Sequence, residues 1–213
     1  MTVSVEGKGW LLTTDQALWI PPGKVHDIET TNAIFYRSLY VDGLVCNGLS
    51  AKPKAVSLTP LFRELVNAAS EFSAHYRPES AESRLAAVIL DQLQGLDVSP
   101  LSLPYPQDRR LLRVIAGFVH KPSEQQTREQ WAKVVGASER TLGRLFVKET
   151  GLSFTQWRQR YLVSQALQML REGDSVTSVA EQLGYDSVSA FSSMFKRLVS
   201  LTPSQYLRLN SPF

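Results

Sequence analysis

Two arginines, Arg140 and Arg144, stand one helical turn apart in the stretch SERTLGRLF. Side chains four residues apart lie on the same face of an α-helix, so the two guanidinium groups would project together. A guanidinium group can donate two hydrogen bonds to O6 and N7 of guanine in the major groove of DNA. Leu142 and Phe146 lie on the opposite face and would hold such a helix on an apolar core. The spacing therefore indicates a base-reading helix, with a pair of solvated surface charges as the alternative.

A second stretch, GYDSVSAFSSMFKRL, repeats this pattern about fifty residues further on. The positions that correspond are Ala132, Gly136, Ser138, Leu142, Phe146, Gly151 and Ser153 in the first copy and Ala180, Gly184, Ser187, Phe191, Phe195, Ser200 and Thr202 in the second. The offset is 48 residues up to the glycine and 49 after it, so the second turn has one extra residue. Each copy predicts a helix, a glycine turn, an N-capping serine and a second helix, which is a helix-turn-helix unit. Two units in register are a far more specific signal than one.

The outward face of the second copy has small hydroxyls where the first copy has arginines. The offset places Ser189 and Ser193 at the equivalent positions. Small side chains allow close approach to the groove floor, where they can contact thymine methyl groups and donate to base edges or phosphates. Lys196 and Arg197 follow one turn later, in position for phosphates. We predict a less discriminating reader, and the alternative that these serines are ordinary surface residues stays open.

Helices on both sides must position the two units. Asp108 is the expected N-cap of RRLLRVIAGFVH, and Thr127 with Gln130 has the spacing of a capping box before REQWAKVV. The long stretch SFTQWRQRYLVSQALQMLREG joins the units, and SVTSVAEQL and PSQYLRL complete the helical set. Trp157 and Tyr161 lie one turn apart on the joining helix, and we predict that they are core residues rather than stacking platforms for bases.

The N-terminal part has a different period. The runs GWLLTT, QALWI and AIFYRSLYV predict β structure over residues 9–41, with a turn at PPGK. TPLFRELVNAASEF and AESRLAAVILDQL predict amphipathic helices whose apolar stripes are Leu61, Leu65, Val66 and Ala69, and Leu85, Val88, Ile89 and Gln92/Leu93. GLDVSPLSLPYPQD has three prolines and predicts a linker. The fold class is α+β, with a β segment at 1–58, amphipathic helices and linker at 59–104, and an all-α domain at 105–213.

Composition excludes several classes of protein. The single cysteine, Cys46, rules out an internal disulfide framework and fits a reducing cytoplasm. No apolar run approaches the length of a membrane span, and MTVSVEGKGW lacks the apolar core of a signal peptide. His26, His75 and His120 lie in three different segments, and no GxSxG motif, Walker-type loop or Cys–His pair occurs. We therefore predict no catalytic residue, no metal and no cofactor.

Charge is distributed unevenly along the chain. Residues 1–126 hold 12 Lys and Arg against 13 Asp and Glu, a net charge of −1, whereas residues 127–213 hold 11 against 7, a net charge of +4. The C-terminal part is therefore expected to have a polyanionic partner. With the duplicated motif, this asymmetry predicts that residues 105–213 bind duplex DNA without the N-terminal part, with an affinity that falls steeply with salt.

The text ASERTLGRLFVKETGLSFTQWRQRYLVSQALQML followed by SVTSVAEQLGYDSVSAFSSMFKRLVSLTPSQY resembles the AraC/XylS family of bacterial transcription regulators, over residues 108–207. The resemblance implies two helix-turn-helix units whose second helices enter successive major-groove segments on one face of promoter DNA. Family base-contact positions fall on Arg140, Gly143 and Arg144, and on Val188, Ser189, Ala190 and Ser193. The full set of predicted DNA contacts is Arg140, Thr141, Gly143, Arg144, Lys148, Ser187, Val188, Ser189, Ala190, Ser193, Lys196 and Arg197. Leu201 departs from the family, which usually has a glycine-containing turn there, so Val199 and Ser200 must bend the chain alone.

The N-terminal text also carries a resemblance. QALWIPPGKVHDIE, IFYRSLYVD and the linker LSLPYPQDRRL resemble the cupin-like sensor domain of one AraC subgroup, and we expect a barrel that is incomplete at its N-terminal end. We expect a cytoplasmic, nucleoid-associated protein with RNA polymerase as a further candidate partner and an effector that the residues do not identify. The apolar stripe of the helix Glu82–Leu93 and the resemblance together predict a homodimer formed mainly through residues 59–95, with the alternative that this stripe packs entirely on the β segment of its own chain. The alternatives are a degenerate cupin-type enzyme or small-molecule-binding protein with a helical appendage, and a helical protein-interaction module, which would not need outward arginines.

Overall fold

The computed structural model describes residues 1–30, 34–73, 75–124 and 126–210, and in these ranges it contains two small β-sheets and nine α-helices. The strands are β1 (Thr2–Val5), β2 (Lys8–Leu11), β3 (Gln16–Trp19), β4 (His26–Glu29), β5 (Lys54–Ser57) and β6 (Leu103–Tyr105). The helices are α1 (Pro60–Ala69), α2 (Ala81–Gly95), α3 (Arg109–His120), α4 (Arg128–Val134), α5 (Glu139–Thr150), α6 (Phe154–Glu172), α7 (Val176–Gln182), α8 (Val188–Val199) and α9 (Pro203–Asn210). The α+β class is confirmed.

The strands form two antiparallel sheets. One has the order β4-β1-β2-β6 and the other pairs β3 with β5. In β1 the sequence alternates, so Val3 and Val5 face the core and are almost fully buried. GWLLTT overlaps β2 and QALWI overlaps β3, as predicted, although GWLLTT extends three residues beyond the end of its strand. The strands β1, β5 and β6 were missed. The described strands form two open sheets.

Residues 34–41 do not form the strand that AIFYRSLYV predicts. They have no regular secondary structure, and Ala33 of the same run lies outside the described residues. Phe35 is fully exposed and Tyr40 is 93% exposed. Aromatic and branched residues favour strands only where they pair with a neighbouring strand and cover a core. In the described part of the chain neither support is present for this segment, so the prediction was wrong.

The two amphipathic helices form where the sequence places them. Thr59 and Ser80 cap α1 and α2, each accepting from a backbone amide of the first turn. Around Phe62 and Ile89, which are buried, lie half-buried Leu65, Val66, Ala69, Leu85 and Leu93. The predicted stripes were wrong at two positions, because Leu61 is 55% exposed and Val88 is 44% exposed. Phe62 takes the core position of α1 instead of its neighbour Leu61.

The proline-rich stretch after α2 is not a free linker. It ends the helix as predicted, but β6 within it pairs with β2, and Leu101 and Leu103 are 8% and 1% exposed. Leu103 belongs to a core shared with α3, α4 and α5, and Leu101 to a core built on the later helices. Prolines are tolerated at such a sheet edge because they need not donate to the ladder. The stretch therefore packs against both halves of the helical domain.

The helical domain has two separate cores. The first contains residues of α3, α4, α5 and the first half of α6, including Trp157 and Tyr161, which are buried as predicted. The second contains residues of the second half of α6 with α7 and α8, and half-buried side chains of α9. Each core belongs to one predicted helix-turn-helix unit, and α6 runs through both. In the described ranges, no helix combines the length and apolarity needed to cross a bilayer.

Candidate nucleic-acid interface

Helix α5 presents the two predicted arginines to solvent. The hydroxyl of Ser138 caps its first turn by accepting from the amide of Thr141 at 3.1 Å. Leu142 is completely buried against the first core, which turns the opposite face outward. Arg140 and Arg144 are exposed on that face, and in the described residues neither side chain has a hydrogen-bond or ion-pair partner. Both guanidinium groups are therefore available to an external acceptor.

A third arginine lies beside this face, and the sequence analysis missed it. Nε of Arg128, at the start of α4, donates to Oε1 of Glu139 at 2.9 Å. A Cβ added to Gly143 would lie 3.0 Å from Nη1 of Arg128, so the absence of a side chain at Gly143 makes room for this guanidinium. Arg128, Arg140, Gly143 and Arg144 line one open concavity. The signal that could have found Arg128 is its place in the first turn of the helix that precedes the reading helix.

Helix α8 repeats the construction with small residues outside. Ser187 is its N-cap and accepts from the amide of Ala190 at 3.2 Å. Phe191 and Phe195 are fully buried, as predicted. The outward side chains, all exposed, are Val188, Ser189, Ala190 and Ser193. The first turn of α8 therefore offers a low, mostly neutral surface.

The remaining side chains predicted to contact DNA differ in whether they already have a hydrogen-bond partner within the protein. Lys148 and Lys196 are exposed near the C-terminal ends of α5 and α8. Nη2 of Arg197 donates to Oε1 of Gln159 on α6 at 3.0 Å, so this guanidinium already has a partner. The hydroxyl of Thr141 lies 2.8 Å from that of Ser138, inside the cap of α5. Thr141 and Ser187 thus shape the starts of the two helices.

The repeat holds in backbone detail. Gly136 and Gly184, the turn glycines, have φ of 67° and 77°, in the left-handed region. Gly151 ends α5 at φ 70°, and Ser200 ends α8 at φ 65°, which confirms that this serine bends the chain without a glycine. Ser153 forms a capping box with Gln156, and Thr202 makes the same pair of bonds with Gln205.

The side chains whose pKa values are clearly shifted lie away from the outward faces of α5 and α8. Burial raises the pKa of Tyr161 to about 12 and also raises that of Tyr185. A hydrogen bond from Arg110 lowers the pKa of Asp108, the N-cap of α3, to about 2. In the described parts of the chain, no three His, Cys, Asp or Glu residues group closely enough to hold a metal ion. His26 is an exposed residue of β4 whose Nδ1 lies 3.2 Å from the carbonyl of Lys24.

The N-terminal region contacts the helical domain at one further place. Arg171 of α6 pairs with the carboxylate of Asp15, and its Nη2 donates to Oγ1 of Thr14 at 2.9 Å. Asp15 also accepts from Nη2 of Arg63 on α1 at 3.3 Å. Asp15 therefore connects the loop after β2 to a helix of each part. Sequence reasoning did not find this cluster, because its members lie up to 157 residues apart.

Two domain families match the chain. The family described as "Helix-turn-helix domain" matches residues 131–209, and that described as "AraC-like ligand binding domain" matches residues 1–93. The HTH-type transcriptional regulator NimR of Escherichia coli is 35% identical over 97% of this chain and 76% of its own length. The HTH-type transcriptional regulator RipA of Corynebacterium glutamicum is 35% identical over 48% of this chain and 31% of its own length.

Among solved structures, the DNA-binding domain of AdpA in complex with a target DNA is 32% identical to this chain and has a TM-score of 0.45. The aligned part covers 47% of this chain and 91% of that domain. The match to NimR extends over both the sheet region and the helical domain. This chain belongs to the AraC family of HTH-type transcriptional regulators.

Proposed function

We propose that this protein regulates transcription by inserting α5 and α8 into successive major-groove segments of a promoter. The observation that carries the proposal is the duplicated unit, in which each reading helix buries its apolar face and leaves the other face open. An α-helix fits the major groove of B-DNA, whose floor presents a distinct pattern of hydrogen-bond donors and acceptors for each base pair.

The two helices would read in different ways. In the first unit, the free guanidinium groups of Arg140 and Arg144 suit bidentate contacts to guanine, and Arg128 lies beside them in an ion pair with Glu139. In the second unit, Ser189 and Ser193 offer one hydroxyl each and allow close approach to the groove floor. Most of the base preference should therefore come from α5.

Phosphate contacts would set the register of both helices. Lys148 and Lys196 are exposed and suit the phosphates that flank each groove. Thr141 and Ser187 are better placed to hold the first turns of α5 and α8, whose positive N-terminal ends favour an anionic backbone. Arg197 would have to release Gln159 before it could contact a phosphate.

The N-terminal region would respond to a small molecule and carry the dimer contact. The match to a ligand-binding domain family over residues 1–93 supports the first role. Leu61 and Val88 are exposed apolar residues on α1 and α2, which supports a homodimer formed through residues 59–95. The protein would act in the cytoplasm at the bacterial nucleoid, together with RNA polymerase, and without catalysis, metal or cofactor.

The test is selection of duplexes from a random library by the full chain, followed by affinity measurement by fluorescence anisotropy at several salt concentrations. We expect a selected sequence to bind well above random DNA, with affinity falling linearly on a log–log plot against salt. The double variant Arg140→Ala/Arg144→Ala should lose most of the preference for the selected sequence.

A matched control is available on α3. Arg109 and Arg113 are also exposed and four residues apart, so Arg109→Ala/Arg113→Ala removes the same charge from a different helix. This control should retain the sequence preference. Failure to select any sequence, or equal loss of preference in the two double variants, would contradict the proposal.

A further inference from the structure

The two reading helices need a fixed relative orientation to engage one DNA face. Their cores have no buried residue in common, and α6 is the helix that runs through both. The short segment 101–103 also reaches both cores, through Leu103 and Leu101. A single helix can bend and a short segment adds little stiffness, so these two connections leave the angle between the units loosely defined. A direct contact between the units would make them one rigid body.

Such a contact occurs at the turn of the second unit. Gly184 lies against the loop between α3 and α4, and a Cβ added to it would fall 2.3 Å from the carbonyl oxygen of Ser123. The same added atom would be 3.0 Å from the carbonyl carbon and the Cα of Ser123. These are backbone atoms, so they cannot move aside as the end of a flexible side chain would. The turn of one unit therefore rests directly on the backbone of the other.

Arg158 of α6 packs at the same junction. Its Nη2 lies 3.4 Å from the carbonyl oxygen of Glu124 in the α3–α4 loop, and its guanidinium carbon is 5.9 Å from the ring centre of Phe118. Together with Tyr185, which follows Gly184, Arg158 lines a cavity of about 180 Å³ between the units. The guanidinium is half-buried, and burial lowers its pKa. The junction thus includes side-chain contacts as well as the backbone contact.

We propose that this junction, Gly184 on the backbone of Ser123 with Arg158 beside it, fixes the orientation of α8 relative to α5 and thereby sets the base-pair spacing that the protein accepts. Gly184 is in this sense a positioning residue for DNA recognition. The effect on base-pair spacing rests on the proposed function, whereas the rigid junction itself is a property of the protein without DNA.

Gly136 provides a matched control. It is the equivalent turn glycine of the first unit and has a similar φ, but a Cβ there would meet nothing within 4 Å. Alanine is similarly strained at both positions because both have positive φ. Only Gly184→Ala also forces the units apart. The difference between the two variants therefore isolates the contact.

The first measurement is made without DNA. In a full chain carrying Cys46→Ser, Lys148→Cys and Lys196→Cys, spin labels on the two new cysteines report the distance from α5 to α8 by pulsed electron spin resonance. We expect a single narrow distance distribution in this reference and with Gly136→Ala added, and a shifted or broadened distribution with Gly184→Ala. Arg158→Ala should broaden it too, and it serves as the second variant if Gly184→Ala does not fold.

The second measurement uses a duplex selected by the wild-type chain and a derivative with two base pairs inserted between the contacted segments. The insertion turns one segment by about 70° relative to the other. Wild type and Gly136→Ala should lose roughly tenfold or more in affinity on insertion, and Gly184→Ala should lose less than about threefold. The proposal is overturned if folded Gly184→Ala and Arg158→Ala keep the narrow distribution. If wild type selects no duplex, the proposed function fails while the distance measurement still decides on the junction.

Discussion

Removing residues 1–104 would take two buried leucines away from the helical domain. Leu103 is 1% exposed in the first core, and Leu101 is 8% exposed in the second. The cut also removes two backbone acceptors, namely the carbonyl of Pro104 for Nε1 of Trp157 at 2.8 Å and that of Ser102 for Nη1 of Arg160 at 2.9 Å. A fragment that begins at residue 105 therefore lacks parts of both cores.

The expected loss of stability is large for a domain of this size. Truncation of a buried leucine typically destabilises by about 2–5 kcal/mol. Each lost hydrogen bond adds about 1 kcal/mol. Some side chains will relax into the vacated space, so we expect the fragment 105–213 to be at least about 4 kcal/mol less stable than the fragment 99–213. This approaches the whole stability of a small domain, about 5–15 kcal/mol.

Urea unfolding of the two fragments, followed by circular dichroism, measures the difference. Neither fragment contains β2, the partner of β6, so the loss of strand pairing is the same in both. The fragment 99–213 with Leu101→Ala and Leu103→Ala should reproduce most of the loss while keeping both carbonyls. Equal unfolding midpoints and slopes for 99–213 and 105–213 would refute the reasoning. Binding of a selected duplex by the folded fraction should be similar for the two fragments.

Three further outcomes follow from individual side chains. Arg144→Ala should weaken binding to a selected duplex by about 1–3 kcal/mol and relax the preference at one base pair, whereas Ser193→Ala should cost about 1 kcal/mol or less. Fluorescence anisotropy with both variants on the same duplex measures the two losses. A larger loss for Ser193→Ala would show that α8, and not α5, is the main source of base preference. Lys196→Ala should weaken binding to all sequences alike and lower the slope of log affinity against log salt by about one, and an unchanged slope would exclude its phosphate contact. The pKa of Asp108 is depressed from 3.8 to about 2, so its charge stabilises the fold above about pH 4 and this contribution is lost as pH falls towards 2. The free energy of unfolding of Asp108→Asn, measured in urea, should therefore be lower than that of wild type at pH 7 and should approach the wild-type value in acid. A difference in unfolding free energy that does not change with pH would contradict this.

Local sequence was enough to predict the helical domain. The caps at Ser138, Thr127 and Asp108 were predicted because capping depends on residues no more than three positions apart. The repeat itself predicted which faces are buried, since Phe191 and Phe195 had to follow Leu142 and Phe146. Exposure of the arginines on α5 followed from the same periodicity.

Features made by distant residues could not be predicted in this way. The strand β6 exists because Gly9 and Leu11 lie opposite Tyr105 and Leu103, a pairing across more than ninety residues of chain. Residues 34–41 have strand propensity, but propensity could not say that no described strand pairs with them. The contact of Gly184 with Ser123 likewise joins two loops across 61 residues of chain, and sequence shows only that Gly184 ends a helix.

The N-terminal region contacts the helical domain without covering its reading faces. Its contacts in the described residues include Arg171 of α6, the first core through Leu11, and the segment 101–107, which itself bonds to Glu149 at the C-terminal end of α5. In the described residues, none of the predicted DNA contacts bonds to residues 1–58. A molecule bound in that region could not act by uncovering Arg140 or Arg144, which are already exposed. Within one chain, the route from that region to α5 and α8 therefore runs through α6 and the β6 segment, which contact both units.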